Sequence, residues 1–329
     1  MSPLTRRDFI RLLALSAASL SLPPYLAGCD RQESHLSQVS TPLATLPSAS
    51  LPTTSPTLPS GTPDLVVARG GDPETSLRRA LAAFGGMESF LPADANVIIK
   101  PNICVAYHSY EYAATTNPWV VAALVSACLE AGARSVKVMD LPFGGTQQEA
   151  YARSGIAEQV EAAGGEMAYM PAFQYTSFDI PQGVDLKKVK IFDEVMKADL
   201  LINVPIAKRH GLARLTLGMK NLMGLIKDRP AMHKNLGQRL ADLTSLVRPS
   251  LTVVDAVRIL MANGPSGGNL NDVKQLDTII VSPDIVAADS YAATLFDLRP
   301  EDLAYIPAAT AMGLGRSDLH NLKIEEISA

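Results

Sequence analysis

The chain has 329 residues, with 29 Lys/Arg against 33 Asp/Glu and a net charge of −4. That balance excludes a protein built to neutralise nucleic-acid phosphates. Its three cysteines fall in no CxxC and no Cys/His cluster, so structural zinc and an iron–sulfur cluster lack a ligand set.

Residues 1–28 read as a twin-arginine signal peptide. Thr5-Arg6-Arg7-Asp8-Phe9-Ile10-Arg11 is the export motif, and residues 12–28 carry no charge. That stretch is short and contains Pro23-Pro24, which makes a poor membrane-spanning helix. It ends in Leu26-Ala27-Gly28-Cys29, a lipoprotein cleavage box that would leave Cys29 acylated. Asp30 resembles a signal for retention in the inner membrane. Loss of Arg6, Arg7, Arg11 and Asp8 takes the mature chain to about −6, further from a nucleic-acid binder. Residues 29–63 are then a lipidated cysteine and a Ser/Thr/Pro-rich tether that cannot bury enough apolar surface to fold.

Residues 64–329 read as one α/β domain. A strand over 64–68 precedes a helix from Ser76 to Phe84 that stops at Gly85-Gly86. Ala95–Ile99 is a strand leading to Lys100-Pro101-Asn102. Asn117-Pro118 starts a helix that runs to Ala131. Ser135–Met139 is a strand ending at Asp140, followed by short helices at about 146–153 and 156–163. Glu166–Tyr169 is a short strand, and a small hairpin includes Thr176–Ile180. Asp199–Asn203 is a buried strand that Pro205 should end, having no N–H to donate. Leu236–Val247 is a helix and Ser250–Val254 a strand ending at Asp255. Gly264–Asn269 is a glycine-rich turn, Thr278–Val281 a strand, and helices follow from Ser282 to Phe296 and from Pro307 to Met312. The alternation predicts a mainly parallel sheet with helices on both faces.

In such a sheet, ligands bind beyond the carboxyl ends of the strands. Lys100 and Asn102, Asp140, Asn203 and Asp255 all fall there. The stretch Asn203–Gly224 is the most unusual. From Leu200 to Ala241 there are eight Lys/Arg against a single acid, Asp228, inside an acidic protein. That local field predicts a small anionic ligand. Lys100, His210 and Lys220 are the candidates for acid–base and charge-stabilising work, His210 because its pKa lies near neutral. Asn102, Thr116, Asn203, Thr216, Asn221 and Asp255 are candidates to position the ligand. Thr216 and Lys220, four apart, would share a helical face. Asp140, Asp255 and Asp289 could offer oxygen ligands to Mg²⁺ or Ca²⁺, whereas the spacing of His108, His210 and His233 matches no metal motif. Cys128 falls on a helical stripe with Val121, Leu124 and Val125 and reads as a core thiol. A Cys104–Cys128 disulfide stays open.

These pieces resemble the domain of unknown function 362 family. They are VIIKPN at 97–102, TTNP at 115–118, KRHGLARLTLGMKN at 208–221, VVDAV at 253–257, NGPSGG at 263–268 and VSPDIVAAD at 281–289. The resemblance covers nearly all of 64–329. Many relatives resemble iron–sulfur proteins with ferredoxin-type cysteine clusters. This chain lacks those cysteines, so that activity does not transfer and no cluster is expected; the cofactor stays unknown. The family implies the fold and the site and names no reaction. Three readings stay open: an enzyme using Lys/His acid–base chemistry, a tethered solute-binding protein, and a non-catalytic redox or assembly partner of an oxidoreductase. Each would be anchored on the outer face of the cytoplasmic membrane.

Overall fold

The computed structural model describes residues 58–329; the export motif, Cys29 and most of the tether lie outside the described residues. In chain order the first strands are β1 (Leu65–Arg69), β2 (Asn96–Pro101), β3 (Ser135–Val138) and β4 (Glu166–Met167). A separate antiparallel hairpin follows, β5 (Tyr175–Asp179) with β6 (Lys188–Phe192). Then come β7 (Leu200–Val204), β8 (Ile206–His210), β9 (Arg214–Thr216), β10 (Leu251–Leu260), β11 (Val273–Ser282) and β12 (Ile324–Ser328). Among the described residues, ten of these strands form one sheet in the order β12-β1-β11-β10-β7-β2-β3-β4, with β8 and β9 branching from β10. The centre is parallel: β2 pairs β7 from Val97↔Leu200 to Pro101↔Val204, and β3 on its other side. Only the β11 pairings and the β8–β9 hairpin are antiparallel within it.

Period-two alternation divides the central strands between two cores. Val97, Ile99, Leu200 and Ile202 face helices α1 (Pro73–Ala82), α2 (Pro118–Glu130), α3 (Gln147–Arg153) and α4 (Ile156–Ala162). Ile98, Leu201 and Val254 face the other way. There the short helices α5 (Gly218–Asn221) and α6 (Arg229–Met232) lie with α7 (Leu236–Leu246), α8 (Ile285–Thr294) and α9 (Tyr305–Ala311). Both faces are covered, as the α/β class requires. Among the described residues no helix is long and apolar enough to cross a membrane.

The basic segment departs most from the sequence expectation. Pro205 interrupts the strand for one residue only. Its carbonyl accepts from the Asp255 amide at 2.8 Å, and the chain resumes as β8 beside β10. Residues 206–216 therefore form a hairpin. Thr216 does not share a helix with Lys220, because it closes β9 opposite Lys208 while α5 begins at Gly218. Nor does Asp255 end its strand. Its carboxylate accepts from the amides of Asn117 at 2.7 Å and Val257 at 3.0 Å, so β10 continues through it to Leu260. Strand β12 escaped the sequence reading because it is a half-exposed edge without an apolar run. Cys104 and Cys128 are both free and buried.

Candidate functional site

Beyond the carboxyl ends of β2, β3 and β7 lies a cavity of about 530 Å³. Its floor is a network of buried polar groups. Lys100 Nζ donates to Asp140 Oδ1 at 2.7 Å, the Pro101 carbonyl at 2.8 Å and Asn221 Oδ1 at 3.0 Å. All three ammonium protons are thereby engaged. The other Asp140 oxygen accepts from the Ile103 amide at 2.6 Å. Asn102 Nδ2 donates to Asn221 Oδ1 at 2.9 Å, and its own Oδ1 accepts from Lys208 Nζ at 2.9 Å. Burial pulls both Lys100 and Lys208 below the usual lysine range; the Asp140 carboxylate opposes this at Lys100. Gly224 must be glycine here, since a Cβ would press onto Asp140 Oδ1 and come 2.7 Å from Lys100 Nζ.

Strand alternation explains the cationic wall. Lys208 and His210, two apart on β8, both line the cavity. Arg209, between them, turns away, its guanidinium 5.4 Å from the Phe296 ring centroid. Thr216 on β9 and Lys220 and Asn221 on α5 complete the wall with Arg229 and His233. Helix α5 is held by Asp289, whose two oxygens accept from the amides of Gly218 at 2.6 Å and Met219 at 3.0 Å. Burial pushes the Asp289 carboxyl up to about 7, against those two donors.

Lys220 differs from its neighbours: among the described residues its ammonium has neither a hydrogen bond nor a carboxylate partner. Burial first, then the positive charges of Lys208, Arg229 and Lys100, draws it down to about 8. Thr216 Oγ1 is buried and also has no hydrogen-bond partner among the described residues. His210 is drawn down to about 4 by burial and by Lys220, Lys208 and His233. Its Nδ1 accepts from the Leu212 and Ala213 amides at 3.1 and 3.2 Å, so the neutral ring carries its proton on Nε2. The neutral His210 ring thus offers a hydrogen-bond donor at Nε2. Its surroundings therefore favour the neutral ring over the neutral-range titration expected from its ordinary pKa.

Of the residues singled out in the sequence, Lys100, Asn102, His210, Thr216, Lys220 and Asn221 line the cavity. Three others lie behind it. Thr116 Oγ1 accepts from the Asn102 amide and donates to the Val204 carbonyl, both at 2.8 Å. Asn203 accepts from Asn221 Nδ2 at 2.9 Å and donates to the Gly218 carbonyl at 3.0 Å. Asp255 pins the start of α2 through the Asn117 amide. Among the described residues no three His, Cys, Asp or Glu side chains are placed to hold a metal. Asp140, Asp255 and Asp289 are each committed to donors of their own. Sequence reasoning left out Lys208, Arg229 and Cys104 as lining groups. The i, i+2 spacing of Lys208 and His210 was the signal available for the first.

A family model for the domain of unknown function 362 matches residues 97–294, more than half the chain. The chain belongs to that family. The match spans both the floor of the cavity and its basic wall. A thylakoid-associated protein of Synechocystis sp. is 27% identical, over 73% of this chain and 74% of that relative. Among solved structures, the lactate racemase apoprotein of Thermoanaerobacterium thermosaccharolyticum gives a TM-score of 0.43 at 14% identity over 67% of this chain. A Thermotoga maritima protein gives 0.42 at 12% identity over 69%. This domain of unknown function 362 protein spans 55% and 60% of those two chains.

Cys104 is also part of the wall, facing Lys208. Cys128 is sealed in the α2 core, where burial pushes its thiol up to about 12. Iodoacetamide at mildly alkaline pH should therefore label Cys104 in the folded protein and spare Cys128. Peptide mass mapping reads the two sites separately, and labelling of Cys128 first would contradict the placement.

Proposed function

We propose that this protein binds a small organic anion in the basic cavity and performs general acid–base chemistry on it, with Lys220 as the proton-transferring group. The observation that carries this is Lys220 itself, a largely buried lysine that has no hydrogen-bond or carboxylate partner among the described residues and is drawn down to about 8 by burial and neighbouring cations. Desolvation of an uncompensated cation is costly, and an anionic ligand relieves it. An amine near 8 also holds both protonation states in useful amounts at neutral pH, as a general acid or base requires. Thr216 Oγ1 and His210 Nε2–H add neutral donors for the ligand. Lys100, Lys208, Asn102 and Asn221 form the floor that orients it, and Thr116, Asn203 and Asp255 brace the loops behind.

The same proposal places the protein outside the cytoplasm. The twin-arginine motif would export it folded, and acylated Cys29 with the following tether would hold the domain at the outer face of the cytoplasmic membrane.

The test is thermal melting of the folded protein against a panel of organic phosphates and carboxylates, with product analysis by mass spectrometry of every stabilising compound. The reading expects at least one stabilising anion that is chemically altered. Stabilisation without alteration would leave a solute-binding protein. A panel with no stabilising anion would remove the reading altogether.

A further inference from the structure

We infer that the ligand is an organic dianion carrying an apolar body, with its charged head on the buried floor and its body against an apolar rim. The inference rests on the anion-binding reading above and specifies the class of anion.

The lining is graded in depth. Lys100, Lys208, Asn221 and Thr216 are at most 4% exposed, whereas Phe143 is 57% and Leu212 71% exposed. Polar groups are therefore buried and large apolar ones face solvent, the reverse of the usual surface pattern. Both rim side chains stand on fixed backbone. The Leu212 amide donates to His210 Nδ1 at 3.1 Å, and the Phe143 amide donates to the Cys104 carbonyl at 3.0 Å. Only their side-chain rotamers, and not their backbone, then need ordering on a ligand. Leu141, Pro142, Pro230 and Pro265 continue the apolar lining.

Size and charge narrow the class. About 530 Å³ suits a ligand of many atoms and is far more than a bare oxyanion fills. Four lining cations, Lys100, Lys208, Lys220 and Arg229, face one lining carboxylate, and Asp140 is taken by Lys100. Lys208, Lys220 and Arg229 have no carboxylate partner among the described residues, so a doubly charged head is matched better than a single charge. Phosphate monoesters, dianionic near neutral pH, have that head.

Isothermal titration with methyl phosphate and phenyl phosphate at neutral pH separates head from body, because the two esters carry the same head. Phenyl phosphate should bind on the order of tenfold more tightly, the effect of burying the ring against the rim. In a Phe143→Ser/Leu212→Ser double variant that advantage should fall away while methyl phosphate affinity holds. Both side chains are exposed, so an unchanged melting temperature is expected and serves as the folding control. Equal affinity for the two esters, or an advantage retained in the double variant, would overturn the inference and leave the anion site standing. Absence of binding by either ester would overturn the inference, while the anion-binding reading would then stand or fall on the carboxylates of the melting panel.

Discussion

Asp140→Ala should cost about 3–5 kcal/mol of folding stability, the scale for removing one member of a buried ion pair. The carboxylate sits between Lys100 Nζ and the Ile103 amide, and the Lys100 side chain is fully buried. Without Asp140 the ammonium keeps only the Pro101 carbonyl and Asn221 Oδ1. Lys100 already lies below the usual lysine range through burial, and loss of the opposing carboxylate lowers it further. The folded variant then binds fewer protons than its unfolded chain. Its deficit is largest where both members of the wild-type pair are charged and shrinks as pH rises towards the ordinary lysine value. Urea unfolding at several pH values measures both effects. The paired change Lys100→Met with Asp140→Leu should recover most of the loss, since apolar replacement of a whole buried pair is often neutral. A single Asp140→Ala within about 1 kcal/mol of wild type would mean that the pair is not formed.

Lys220→Met should act in the opposite direction on stability while removing function. The folded pKa of Lys220, about 8, lies below its unfolded value. The native state therefore binds fewer protons between those values, and wild-type stability rises with pH through that window. Below it the full penalty of the buried cation is present. Methionine removes that penalty, so the ligand-free variant should be more stable at neutral pH by about 1–3 kcal/mol. Binding of an organic anion should weaken by roughly 1.5–3 kcal/mol, the contribution of a charge-assisted hydrogen bond. Any turnover should fall on the order of 10²–10⁴-fold, the range for loss of a general acid or base. Gain of stability with loss of ligand response identifies a functional lysine. A methionine variant that binds normally would show that Lys220 is incidental to the site.

The positions of several cavity-lining groups could be read because strand ends are legible. Val97-Ile98-Ile99 before Lys100 and Leu200-Leu201-Ile202 before Asn203 are apolar runs that stop at polar residues. Parallel sheets gather such stops at one edge. The charge asymmetry of residues 200–241 pointed to the same edge. What could not be read was the path between Pro205 and Gly218. A proline usually ends a ladder, yet here only the register changes, and the partner strand β10 lies about fifty residues downstream. Without that pairing the alternation of Lys208, Arg209 and His210 had no face to belong to. Thr216 could not be distinguished from a helical residue for the same reason. Asp255 misled in another way: a charge inside a strand looks like an end unless its partners, the Asn117 and Val257 amides, are known. His210 was the natural proton carrier by type. Burial, neighbouring cations and two amide donors on Nδ1 favour its neutral ring, which is why the proposal gives that role to Lys220.

The most direct test of the account is the titration of Lys220 followed by ¹³Cε NMR on ¹³C-lysine-labelled protein, with the signal assigned by comparison with Lys220→Arg. The account predicts a midpoint of about 8 in the free protein, rising when an organic phosphate is added. An ordinary lysine midpoint of about 10.4, unmoved by every anion offered, would contradict it.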